Sequence, residues 1–129
     1  MFNSSIARAP VRTRPGLRSH FLLDAHDVDS AALAVSWVEV EPGECQEPHR
    51  HPEQQIYVVI AGRGRMRVGH ETTELGRGGL AYVPPNAVHG IQNLAEEPLR
   101  YVAVATPAID MAGAYASGEA WDLDRDAGT

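Results

Sequence analysis

The chain has 129 residues, with 11 basic against 17 acidic side chains and a formal charge of −6. That length buries one real core and leaves little room for a second, and the acidic balance argues against sequence-blind binding to nucleic-acid phosphates. Every fixed cation is an arginine, which removes Schiff-base chemistry and a lysine general base.

The first twenty residues read as a short irregular arm. Arg8, Arg12, Arg14 and Arg18 precede the first acidic residue, Asp24, and Pro10 and Pro15 interrupt any helix. The expectation is a solvated tail or a subunit-contact strand, in preference to a targeting segment or a nucleic-acid arm. Residues 21–107 are expected to form one all-β domain, because short apolar runs are punctuated there by Gly, Pro and Asn. Strands are predicted at 33–41, 55–61, 63–68, 71–75, 80–83 and 99–105. The 63–68 run sets Arg63, Arg65 and Arg67 on one face, Gly69-His70 makes a hairpin turn, and Pro84-Pro85-Asn86 makes a corner. Residues 108–129 read as an acidic tail with a short helix carrying Met111 and Tyr115. Many short, evenly spaced strands favour a closed antiparallel barrel or jelly roll. No apolar run is long enough to span a membrane or to form the core of a secretion signal. The single cysteine, Cys45, excludes an internal disulfide and fits a reducing cytoplasm; no base beside it suggests a nucleophile.

Chemistry concentrates in one group of side chains. His49 and His51 are two apart, so on a strand they share a face. Gln55 follows the Pro52-Glu53-Gln54 turn, and His89 follows the proline corner. Imidazole is the commonest ligand for divalent transition metals, and three or four convergent donors make a usable site.

The spacing around these residues resembles the cupin superfamily. Its first motif runs Gly, five residues, His-x-His, three or four residues, Glu, six residues, Gly. This chain has Gly43, His49-Arg50-His51, Gln55 and Gly62 at those intervals. The second motif runs Gly, five residues, Pro-x-Gly, two residues, His, three residues, Asn, matched by Gly78, Pro84-Pro85-Asn86, His89 and Asn93. The resemblance implies a small single-domain barrel, a homodimer, and one divalent metal ion (Zn, Mn, Fe, Ni or Cu) held by His49, His51, Gln55 and His89. Asn86 replaces the usual Gly at little cost, since Asn tolerates positive φ. Gln55 replaces the usual Glu and leaves the ligand set without negative charge, which favours a strong Lewis acid over a trivalent metal. Two alternatives stand at this point: a three-histidine site with Gln55 as a mere polar strand residue, and a carboxylate from Glu53, whose spacing departs from the motif.

Strand alternation turns Tyr57, Val59, Ile91, Asn93, Tyr101, Ala103, Ala105, Ser36, Val38 and Val40 inward. Tyr101, with open space beside Ala103 and Ala105, is the first candidate to move a proton, and Tyr57 the second. The expected function is a metal-dependent isomerase, lyase or cyclase acting on a small oxygen-rich molecule. A dioxygenase on a similar substrate is one alternative, and a non-enzymatic metal or small-ligand binding module is another.

Overall fold

The computed structural model describes residues 1–109 and the strand Asp122–Leu123. It contains β1 (Val11–Arg14), β2 (Leu17–Leu23), β3 (Ala34–Val40), β4 (Cys45–Arg50), β5 (Gln54–Ala61), β6 (Arg63–Val68), β7 (Glu71–Gly76), β8 (Leu80–Val83), β9 (His89–Asn93), β10 (Leu99–Thr106) and β11 (Asp122–Leu123), with no helix among the described residues. The strands form two antiparallel sheets, one ordered β1-β2-β3-β10-β5-β8 and the other β11-β4-β9-β6-β7. This is the jelly roll that the strand punctuation predicts.

Alternation along the central strands explains the core. In β3, Ala34, Ser36, Val38 and Val40 are buried while Val35, Trp37 and Glu39 are half-exposed. Its neighbour β10 matches it face for face, with Val38 opposite Tyr101 and Ser36 opposite Ala103. Directly paired residues share a face, so one register sets the interior of both strands. Val38, Val40, Tyr57, Val59, Met66, Val83, Ile91, Leu99 and Tyr101 pack there as one cluster.

Several motif positions have direct structural causes. Asn86 takes φ 65°, the left-handed conformation that the family's Gly supplies. Gly62 has φ 82°, and a Cβ on it would meet the Pro98 carbonyl oxygen at 2.6 Å. The second-motif Asn93 is a clamp. Its Nδ2 donates to the carbonyls of Val40 (3.0 Å) and Glu97 (2.8 Å), and its Oδ1 accepts from the Ala95 amide (2.9 Å). It thereby ties the five-stranded sheet to the end of β3.

The N-terminal arm departs from expectation. Instead of an irregular segment, β1 and β2 form an antiparallel hairpin that extends the six-stranded sheet beside β3. The prolines bracket β1 instead of breaking it, and Gly16 closes the turn at φ 76°. Leu17, Ser19 and Phe21 alternate inward; the serine and the flanking arginines hide that pattern in the sequence. The helix expected around Met111 and Tyr115 lies outside the described residues. No helix of the described structure is long and apolar enough to cross a membrane.

Candidate metal centre

Three strands and two turns bring the site together. His49 ends β4 and pairs directly with His89 at the start of β9. His51 follows β4, where its carbonyl accepts the amide of Asn86 from the proline corner (2.8 Å). Gln55 stands near the start of β5, between Val83 of β8 and Ala105 of β10. All three histidines are buried, and their candidate ligand atoms lie within 4.8 Å of one another. Among the described residues the cluster contains no carboxylate.

Hydrogen bonds set the tautomers. Each Nδ1 faces a backbone carbonyl: His49 that of Glu47 (2.8 Å), His51 that of Glu53 (2.9 Å) and His89 that of Ala87 (2.9 Å). A carbonyl oxygen only accepts, so each Nδ1 carries the proton and donates it, leaving each Nε2 as a lone pair. Gln55 Oε1 then meets His51 Nε2 at 3.1 Å and His89 Nε2 at 3.0 Å. With that tautomer these contacts bring acceptors together with no proton between them. A cation satisfies such a set, and a divalent transition metal fits its chemistry.

The imidazoles are kept neutral. Burial, reinforced by the nearby His89, pushes the pKa of His49 down to about 3. Burial takes His89 down to about 4 and lowers His51 as well. Desolvation disfavours the charged ring, so all three remain available as ligands at neutral pH. Glu53 stands outside the cluster of ligand atoms that the three histidines form. Its Oε1 lies 3.6 Å from His51 Nδ1, behind the ring.

Both predicted tyrosines lie beneath the histidines, fully buried at 0% exposure. Their rings stack at 4.8 Å with planes 12° apart, and Tyr57 meets His89 edge-on at 5.8 Å. Both hydroxyls donate to one atom, Gln46 Oε1, at 2.6 Å from Tyr57 and 3.1 Å from Tyr101. Gln46 is absent from the sequence reading for a definite reason. It is three residues before His49, so simple alternation turns the two to opposite faces. Yet Gln46 pairs with Ile91 while His49 pairs with His89, two apart, so β4 carries an extra residue between them. This bulge returns Gln46 to the interior. Gly90 accommodates it, since a Cβ there would meet the Gln46 carbonyl oxygen at 2.8 Å and Pro48 N at 3.1 Å.

Other candidates fall away from this centre. Ser36 is buried on the inner face of β3, opposite Ala103. His26 and His70 are exposed. His20 is buried on the outer side of the six-stranded sheet, 3.5 Å from Glu39. The Cys45 thiol, raised by burial and by Glu47, lies 3.6 Å from a Glu47 carboxylate oxygen, a setting that disfavours a thiolate.

Comparison with known proteins agrees with this fold. The H2HPP isomerase of Bacillus subtilis is 33% identical over 86 residues, covering 66% of this chain and 36% of that protein. The oxalate decarboxylase of the same species is 37% identical over 83 residues, 58% of this chain and 21% of that enzyme. The chain thus spans about a third or less of either curated enzyme. Among solved structures, KdgF from Halomonas sp. superposes with a TM-score of 0.74 at 20% identity, covering 87% of this chain and 97% of that one. A family model described as a cupin domain matches residues 36–105. That match runs from β3 to β10 and takes in every strand that carries a histidine of the cluster, and the chain belongs to the cupin family.

Proposed function

We propose that the chain is a metal-dependent enzyme acting by non-redox chemistry (isomerisation, elimination or cyclisation) on a small, oxygen-rich organic molecule. The observation that carries this reading is the donor set: three buried imidazoles whose candidate ligand atoms lie within 4.8 Å of one another, with the Gln55 amide oxygen 3.1 Å from His51 Nε2 and 3.0 Å from His89 Nε2. His49, His51, His89 and Gln55 would hold one divalent ion, whose chemistry when bound is Lewis-acid polarisation of a substrate carbonyl. The backbone carbonyls behind each Nδ1 hold the rings in place. Val38, Val59, Ile91 and Ala103 line the interior with apolar surface and exclude water. The hydroxyls of Tyr57 and Tyr101 each donate a hydrogen bond to Gln46 Oε1. Either phenol can give the proton of its own hydroxyl and take one back only as the phenolate so formed, with Gln46 as the hydrogen-bond acceptor at rest. The likeness to an isomerase and to a decarboxylase supports chemistry next to a carbonyl or carboxyl group.

The test begins with metal uptake measured by elemental analysis and calorimetry. One divalent ion per chain is expected, lost in His49→Ala, His51→Ala and His89→Ala variants that still fold. The metal-loaded protein is then offered keto acids, hydroxy acids and enolisable phenols. Turnover without oxygen consumption supports the reading. Saturable binding without turnover makes the protein a binding module, and turnover that consumes oxygen makes it an oxygenase.

A further inference from the structure

The core around the two stacked tyrosines is costlier than packing requires. Tyr57 and Tyr101 bury their hydroxyls at 0% exposure, where phenylalanine would stack as well and need no partner. Both hydroxyls meet one atom, Gln46 Oε1, at 2.6 Å and 3.1 Å. That amide reaches them because β4 bulges between Gln46 and His49, and Gly90 of β9 leaves room for the bulge. Buried hydroxyls, a buried amide, an irregular strand and a glycine thus gather at one place, a pattern suited to holding side chains for chemistry. The 2.6 Å contact is an O–H···O length, too short for an amide N–H, so the carbonyl end of Gln46 faces the phenols. An amide oxygen accepts hydrogen bonds without taking the proton. Gln46 therefore fixes the direction of both O–H bonds, and each phenolic oxygen turns its lone pairs elsewhere. Tyr57, the more tightly held of the two, also meets the His89 ring edge-on at 5.8 Å, which ties the pair to a proposed metal ligand.

We propose that Gln46 is the positioning residue of the tyrosine pair: it holds both hydroxyls as aligned, un-ionised proton donors until a substrate enolate competes for one of them. This rests on the metal-dependent reading above and deepens it by assigning the proton source and what aims it. In the step itself the O–H bond of one tyrosine breaks, and the electron pair of the enolate takes the proton to form a C–H bond. The phenolate left behind regains a proton from water as the product leaves, and Gln46 Oε1 accepts the restored hydroxyl again. Gln46 acts through Tyr57 and Tyr101 and not on the substrate.

The experiment uses the full chain loaded with zinc and follows, by proton NMR in heavy water, exchange of the hydrogens beside the carbonyl of pyruvate, 2-oxobutyrate and phenylpyruvate. The parent is expected to exchange at least one of them faster than zinc alone. Gln46→Leu should lower kcat about a hundredfold, the scale of a misplaced catalytic group, with KM and zinc affinity within about twofold. Gln46→Glu, which keeps an acceptor oxygen in place, should recover part of that rate. The Tyr57→Phe/Tyr101→Phe double variant should be slower than the parent by at least about a hundredfold. The same pair of changes should slow the Gln46→Leu protein by less than about threefold, because the amide acts through the hydroxyls. A second readout needs no turnover. In ordinary water the zinc-loaded parent should show two slowly exchanging phenolic hydroxyl protons, that of Tyr57 further downfield because its bond is the shorter. Both should disappear or move upfield in Gln46→Leu and persist in Gln46→Glu. If Gln46→Leu does not fold, Gln46→Met, the apolar residue nearest in length, carries the same expectations. Tyrosine changes as costly in the Gln46→Leu background as in the parent, a Gln46→Leu protein as fast as the parent, or unmoved hydroxyl protons each overturn the inference and leave the metal reading standing. A parent that takes up no divalent ion sinks the metal reading, and one that takes it up but exchanges none of the probes sinks the enzymatic reading and this inference with it.

Discussion

Replacing Gln55 by Glu preserves reach and shape but puts one negative charge beside three neutral imidazoles. In a site shielded from water that charge attracts a cation strongly, so divalent-metal affinity should rise by at least about tenfold, as calorimetric competition would show. The same charge weakens the Lewis acidity available for polarising a carbonyl, so non-redox turnover should fall although occupancy improves. Unchanged affinity would mean that Gln55 is no ligand; faster turnover with oxygen uptake would reverse the non-redox assignment. The histidines also make the metal-free protein sensitive to acid. His49 and His89 are held near 3 and 4, below the 6.5 of a free imidazole. Between those values the unfolded chain binds more protons than the folded one, so stability declines as pH falls through about 6.5. At pH 5 the loss is on the order of 2 kcal/mol for each of these two rings. Urea unfolding of metal-stripped protein at pH 7.5 and pH 5 measures it, and His89→Gln should flatten the difference.

Strand elements hold these side chains only because a few polar residues lock the sheets together. Asn93 satisfies two carbonyls and one amide from within the interior. Asn93→Ala leaves those backbone groups buried without partners and should cost about 2–4 kcal/mol, read from the urea midpoint. Metal affinity should change much less than stability, because His89 is anchored separately through the Ala87 carbonyl. An equal loss of both would show that β9 does not hold its register without the clamp.

At the scale of the molecule, the six-stranded sheet keeps an apolar outer face. Ile56, Val58 and Ile60 of β5 alternate outward, Trp37 and Val102 stand on the adjoining strands, and Leu80 and Tyr82 are 55% and 51% exposed. A surface of this kind is costly in water, and a second copy meeting it about a two-fold axis would cover it. Sedimentation at micromolar concentration is therefore expected to give a homodimer. Val58→Glu and Leu80→Arg should each dissociate it without disturbing the histidines on the opposite side of the sheet. A parent that sediments as a 14.0 kDa species would refute the dimer.

Much of this protein is determined by sequence alone, because spacing translates directly into facing. His49 and His51, two apart, turn the same way, and the motif glycine and asparagine positions demand backbone that only those residues adopt readily. Inward positions from Ser36 to Ala105 follow from alternation as long as a strand is regular. Tertiary structure decides what alternation cannot. The bulge in β4 turns Gln46 inward, where its Oε1 accepts a hydrogen bond from each tyrosine hydroxyl. Gln55 meets His89, 34 residues away, only when β5 and β9 face each other across the barrel. The first hairpin forms despite a pattern broken by arginine and serine, because β3 offers it an edge to pair with. Backbone pairing is satisfied by whatever strand lies alongside, and no local pattern of side chains announces which strand that is.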